Sequence, residues 1–160
     1  MGEFIWHHWA RVVSIFASVY LVWAGMWGIA YRKFFWDFVG GHLDTVNAPP
    51  IGGFHPGPNS APFLEIIVKV PLIQILSILF GLFTLLLEYP APFMKQTSLY
   101  RSFVARAVLL VLQSFVAVFF YQGTNAAIYG TIAAFAYGRA AMRGEMMEEA
   151  KENRGKASAA

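Results

Sequence analysis

Cysteine is absent from the 160-residue sequence, and charged residues are scarce. The lack of cysteine excludes disulfide bonds, thiolate metal sites and cysteine nucleophiles. Asp, Glu, Lys and Arg make up 13% of the chain, compared with about 25% in average soluble domains. Hydrophobic residues make up 58%, and a chain this short could bury only part of that surface in a water-soluble core. The composition therefore predicts an integral membrane protein.

Four apolar stretches are long enough to cross a bilayer, which takes about 20 mostly apolar residues. They lie at about residues 12–31, 66–87, 103–121 and 125–142. We therefore predict an all-α membrane protein, with four transmembrane helices within residues 1–143. Pro71 is placed where the second helix would start or kink. Residues 32–62, rich in Gly and Pro, are predicted to be a lumenal or extracellular loop, and residues 144–160 a solvated tail.

The third and fourth stretches are joined by a very short connection, residues 121–125. Gly123 can end one helix, and Thr124 or Asn125 can cap the next. These two helices are therefore expected to form a tight antiparallel hairpin.

Lysine and arginine are distributed unequally on the two sides of the predicted bundle. With four spans, both termini share one side, which holds nine of the twelve basic residues; Arg32, Lys33 and Lys69 lie on the other. Because positive residues remain on the cytosolic side, both termini are predicted to be cytosolic. The net charge is only +3, and most basic residues flank apolar runs, so nucleic-acid binding is not expected.

Small residues recur every four positions in the fourth stretch, at Ala126, Gly130, Ala134 and Gly138. A weaker version of the pattern occurs in the first stretch at Ala24 and Gly28. Such faces allow helix backbones to approach closely in lipid. They predict either packing within this bundle or a docking face for another membrane protein.

Catalytic and cofactor motifs are missing from the sequence. No histidine lies inside a predicted span, so no axial haem ligands are expected at depth. Glu88, at the end of the second span, is either a proton site or an interfacial carboxylate paired with a nearby Lys or Arg. Gln74, Gln113 and Gln122 are candidates for interhelical hydrogen bonds.

Several short motifs occur in a characteristic order relative to the predicted spans. Trp6 and Trp9 precede the first span, and Arg106-Ala107-Val108-Leu109 opens the third. The second span ends in Leu86-Leu87-Glu88-Tyr89-Pro90, and Arg143-Gly144-Glu145 follows the fourth. In these motifs the chain resembles the light (alpha) subunit of flavocytochrome b, the small membrane partner of phagocyte-type NADPH oxidases. The segments 9–11, 34–38 and 121–127 resemble fungal members of the NoxD type.

The resemblance implies a non-catalytic subunit. Such a subunit binds the membrane domain of an NADPH oxidase catalytic subunit, stabilises it and supports its maturation, and so serves superoxide production. It implies that haem, FAD and NADPH are bound by the partner and that this chain binds no cofactor or metal. The expected location is the endoplasmic reticulum, the plasma membrane, or both.

The tail departs from the animal members of that family. It has no proline after Arg143, so an SH3 domain could not dock on it in the polyproline II conformation. Other functions remain open: an endoplasmic-reticulum adaptor or trafficking protein for another client, a small transporter or channel, or a haem or lipid enzyme.

Overall fold

The computed structural model describes residues 4–32, 59, 61–89, 92 and 94–147. Most of these residues are helical, and there is no β-strand among them. Most of the predicted loop 32–62, Pro90 of the second-span motif and the tail beyond residue 147 lie outside the described residues.

Four long helices carry the fold: α1 (Trp6–Ala30), α3 (Leu72–Glu88), α5 (Phe103–Ala117) and α6 (Thr124–Met142). Two single-turn helices lie between them, α2 (Ala61–Leu64) and α4 (Ser98–Arg101). Short 3₁₀ segments occur at Met94–Gln96 and Tyr121–Gly123, and a π-helical turn at Glu65–Lys69 extends α2.

The long helices form a ring in which every neighbouring pair is antiparallel. Helix α1 packs mainly against α3 and α6, and α5 also packs against both of them. The direction is visible in cross-helix contacts, because Gly25 meets Ile78 whereas Arg11 meets Glu88. The arrangement is an up-down-up-down four-helix bundle.

The interior of the bundle is lined mostly by small and polar residues, whereas its outer surface is strongly apolar. Seven of the eight buried residues of α1 are Ala, Ser or Gly. The exposed faces carry large apolar side chains on all four helices, such as Phe16, Leu79, Phe115 and Phe135. This distribution is the reverse of a water-soluble bundle, which buries its large apolar residues.

Helix boundaries differ from the predicted spans at the start of α1 and at the end of α5. Helix α1 begins at Trp6 rather than at residue 12, because hydropathy marks only the apolar part of a helix that continues into polar sequence. Helix α5 ends at Ala117 rather than at residue 121. Gly123 makes the return possible: a Cβ there would collide with the carbonyl oxygen of Ala117 and the ring of Phe120.

The second apolar stretch is broken at Pro71, where a start or a kink was predicted. The segment 61–69 and α3 meet at an angle of 64°. Gln74 stabilises the break, since its side-chain Nε2 donates to the carbonyl oxygen of Ile67 at 2.8 Å.

By length and composition, α1 is one helix that could cross a membrane; the bent pair 61–69 and 72–88 is a second if its two parts form one span. The described chain is thus an all-helical protein with at least one candidate membrane span. The four-span arrangement is taken up below as a proposal.

Candidate functional site

Motif positions that are far apart in the sequence converge at one end of the bundle. At this end α1 and α5 begin and α3 and α6 finish. Two groups of contacts lie here. One joins Glu88 and Arg106, and the other joins Trp6 to Arg143 and Glu145. We call the two groups the buried ion pair and the clasp.

The buried ion pair joins Glu88 of α3 to Arg106 of α5. Arg106 Nη1 lies 2.6 Å from Glu88 Oε2, and the side chains are only 2% and 1% exposed. The hydroxyl of Tyr137 on α6 donates to the other carboxylate oxygen, Oε1, at 2.7 Å. Both oxygens of the buried carboxylate therefore have a partner, which offsets the large cost of burying a charge.

Most of the remaining donors of Arg106 are directed at backbone carbonyls. Its Nε and Nη2 donate to the carbonyl oxygen of Tyr100, and Nη2 also donates to that of Leu87. Arg11 of α1 donates to the carbonyl oxygen of Glu88 at 2.8 Å. Two guanidinium groups thus satisfy the last carbonyls of α3, where the helix dipole is negative.

This geometry favours the ion-pair interpretation of Glu88 over the proton-site interpretation. A group that exchanges protons needs a free oxygen and access to a donor. The Glu88 carboxylate is instead enclosed by Arg106 and Tyr137, and the ring of Tyr137 stacks on Phe103 at 5.7 Å. The arrangement fixes α3, α5 and α6 relative to one another.

The clasp connects the segment that follows α6 to the start of α1. Gly144 adopts a φ of 69°, a left-handed conformation that suits glycine. The amide of Glu145 bonds to the carbonyl of Ala140 and that of Gly144 to Ala141. This is the hydrogen-bond pattern of a Schellman motif, and it turns Glu145 back towards α1.

Glu145 supplies the cap that α1 lacks locally. The residue before the helix is Ile5, which offers no side-chain cap. Instead, Glu145 accepts the amide hydrogens of Trp6 at 3.1 Å and His7 at 2.9 Å, and His7 Nδ1 lies 2.7 Å from Oε2. Partial burial opposes the charge, but the bonds from His7 and Trp6 outweigh it and hold the pKa of Glu145 below its ordinary value.

Two arginines cover the ring of Trp6 beside the clasp. The guanidinium carbons of Arg139 and Arg143 lie 5.6 Å and 6.0 Å from the ring centroid. Trp9 packs edge-on against Trp6, and the exposed Tyr89 lies beneath Arg11 at 5.8 Å. These are cation–π distances. Trp6 and Tyr89, two aromatic residues of the motifs, therefore each lie against an arginine side chain.

A second polar layer crosses the middle of the bundle. Gln113 of α5 accepts a hydrogen bond from Thr84 of α3 at 2.7 Å and donates to Ser18 of α1 at 3.3 Å. The predicted interhelical role of Gln113 is therefore seen in the structure. The hydroxyls of Ser14 and Ser114 are buried without a hydrogen-bond partner among the described residues.

The small-residue positions fall into two groups. Ala24, Ala126, Gly130 and Ala134 are buried, and a Cβ on Gly130 would collide with Ser114 Oγ of α5. A Cβ on Gly28 would lie 2.9 Å from Gln74 and 3.0 Å from Phe120. Gly138 differs, because an added Cβ would meet no described atom within 4 Å.

The sequence interpretation missed residues both of the site and of the contacts between helices. One missed residue is Tyr137. It lies three residues after Ala134, and this helical spacing, which puts it on the small-residue face of α6, is the signal that could have identified it. Gly25 and Gly81 were also missed, although each brings α1 and α3 close: Cβ atoms there would lie 2.6 Å from Ile78 and 2.8 Å from Val22. Among the described residues, no group of three or more His, Asp or Glu side chains could hold a metal ion.

Comparison with known proteins gives one match. No curated protein and no solved structure matches the chain. The family described as Domain of unknown function (DUF7727) matches residues 1–145, a range that contains the buried ion pair and the clasp. The chain therefore belongs to the DUF7727 family.

Proposed function

We propose that the bundle lies across a membrane as four transmembrane helices, with the site described above at its cytosolic end. The apolar outer surface and the small, polar interior support this proposal, because lipid solvates the former and helix packing in lipid uses the latter. Aromatic belts give a second argument. Trp9 and Trp27 are both partly exposed on α1 and, at 1.5 Å per residue, lie about 27 Å apart, close to the hydrocarbon thickness.

In this membrane the protein acts as a non-catalytic subunit that binds and stabilises the catalytic subunit of an NADPH oxidase. The observation that carries the proposal is the convergence of the motifs on which the resemblance rests. Glu88 and Arg106 bond to each other, and Trp6 is held by the Arg143-Gly144-Glu145 segment. The motif positions thus form connected contacts at one end of the bundle, which supports the proposal that they serve one local structure.

A supporting role fits the chemistry of the interior. The charged and phenolic groups of Glu88, Arg106 and Tyr137 are bonded to one another, which suits fixed helix positions rather than turnover. Haem, FAD and NADPH would then be bound by the partner, and the apolar outer faces of the helices would meet its membrane domain by shape. Maturation in the endoplasmic reticulum and delivery to the plasma membrane belong to the same proposal.

The test is affinity purification of the full chain in mild detergent, followed by identification of the bound protein. We expect an NADPH oxidase catalytic subunit and an absorption spectrum of b-type haem in the complex, with no Soret band from this chain alone. The chain expressed without the oxidase provides the control.

Recovery of an unrelated client without any oxidase subunit would contradict the proposal and favour a trafficking adaptor. A Soret band from the isolated chain would contradict the non-catalytic assignment.

A further inference from the structure

The end of the bundle that carries the site also presents a group of accessible cations. We define the basic rim as Arg11, Lys95, Arg139 and Arg143. Lys95 and Arg143 are exposed, Arg139 is partly exposed, and the Arg11 side chain is 44% exposed. The rim lies around the ends of α1, α3 and α6.

The acidic groups described at this end are already used within the fold. Glu88 is enclosed by Arg106 and Tyr137, and Glu145 caps α1. Within the ranges that the structure covers, no carboxylate forms an ion pair with Arg139 or Arg143. Among the described residues, Arg139 and Arg143 therefore have no carboxylate partner, whereas Arg11 Nε lies 4.0 Å from Glu88 Oε2.

At the opposite end of the bundle, an arginine is bonded to the backbone. Arg32 there donates to the carbonyl oxygens of Ile29 and Lys69. The exposed Glu65 lies one π-helical turn from Lys69. This end offers a similar cation whose donors are directed to backbone carbonyls, which makes Arg32 a matched control.

The aromatic residues beside the rim set its depth. Trp6, Trp9 and Tyr89 lie next to it, and such rings mark the level of the headgroups. A guanidinium that lies over the face of the Trp6 ring still has N–H donors along the guanidinium edge. Those donors match the geometry of phosphate oxygens.

We propose that the basic rim binds the headgroups of anionic phospholipids. The proposal rests on the membrane placement proposed above and adds a ligand class to it. Each rim cation contributes about 1 kcal/mol, so the loss of one arginine should lower anionic-lipid binding about fivefold.

The experiment uses the full chain in mild detergent and counts bound lipids by native mass spectrometry. Dioleoyl phosphatidylserine is titrated against dioleoyl phosphatidylcholine for the wild type and for Arg139→Gln, Arg143→Gln and Arg32→Gln. We expect selective phosphatidylserine binding that falls about fivefold in each rim variant and stays unchanged in Arg32→Gln. Arg143→Lys keeps the charge and should keep most of the binding, which separates charge from misfolding.

Equal binding of the two lipids would overturn the proposal, and so would an Arg32→Gln loss as large as that of Arg143→Gln. Membrane insertion is tested separately by resistance of the full chain to carbonate extraction. Extraction of the chain by carbonate would contradict the proposed function, whereas retention without lipid selectivity would contradict only the lipid site.

Discussion

At the scale of single residues, Glu88 connects all four long helices. It belongs to α3, pairs with Arg106 of α5, accepts from Tyr137 of α6, and its carbonyl accepts from Arg11 of α1. Removing one partner of a buried ion pair leaves an uncompensated charge, whereas removing both leaves none. The stability of the bundle should therefore depend on the pair rather than on either residue alone.

We predict that Glu88→Gln and Arg106→Met each destabilise the bundle by about 3–5 kcal/mol. The double variant should lose clearly less than the sum of the two. Reversible unfolding in mixed detergent micelles, followed by circular dichroism, measures the three differences.

Glu65→Gln serves as the control, because it removes an exposed carboxylate at the other end of the bundle. Additive losses in the double variant would show that Glu88 and Arg106 do not act as a pair.

At the scale of elements, α1 depends on a cap from the other end of the chain. The folded-state pKa of Glu145 is depressed. The contribution of its charge to the free energy of unfolding is therefore complete above the ordinary pKa of 4.5 and is lost as the pH falls from there through the depressed pKa. We predict that Glu145→Gln costs about 1 kcal/mol at neutral pH, the usual cost of a lost cap.

The difference in stability between wild type and Glu145→Gln should disappear as the pH is lowered through the depressed pKa. Unfolding in micelles from pH 7 to pH 3 tests this, with Glu65→Gln as the control. A constant difference across this range would contradict a charged cap.

Helix α6 offers a matched pair of glycines. Gly130 faces Ser114 at close range, whereas Gly138 meets no described atom. We predict that Gly130→Leu destabilises the isolated chain by about 1–3 kcal/mol through overpacking, and that Gly138→Leu does not destabilise it, because the added side chain meets open space and leucine favours a helix more than glycine does. Unfolding in micelles measures both.

Partner binding can be read from the same two variants. Loss of the co-purified partner in Gly138→Leu, without loss of stability, would place Gly138 on a docking face. Equal destabilisation by both variants would contradict the packing described for α6.

The elements were predictable from the sequence where local chemistry determines them. Hydropathy placed the long helices, Pro71 marked the break before α3, and Gly123 marked the return between α5 and α6. The site was predictable only in part. Glu88 was expected to pair with a basic residue, but the choice of Arg106 depends on how α3 and α5 pack. The cap by Glu145 depends in the same way on tertiary contacts. Helical spacing puts Tyr137 on the small-residue face of α6, but its bond to Glu88 depends on how α3 and α6 pack.

At the scale of the whole molecule, the four-span proposal fixes the side on which each connection lies. The absence of native cysteine allows single cysteines to report that side. We predict that Lys95→Cys reacts with an impermeant maleimide in intact microsomes, whereas Asn59→Cys and Thr124→Cys react only after permeabilisation. Gel shift of the labelled chain measures the outcome.

A cysteine-free wild type gives the background for this labelling. Reaction of Thr124→Cys in intact microsomes would show that the α5–α6 connection is not lumenal, and the four-span arrangement would then be wrong.

The ring order of the helices has a consequence for biogenesis. Of the four long helices, α1 is made first, yet one of its two main neighbours is α6, the last of the four to leave the ribosome. Its N-terminal cap, Glu145, is synthesised later still. Half of the inward face of α1 therefore stays uncovered until α6 has been made, and a chain truncated before residue 124 would leave the ring of helices open.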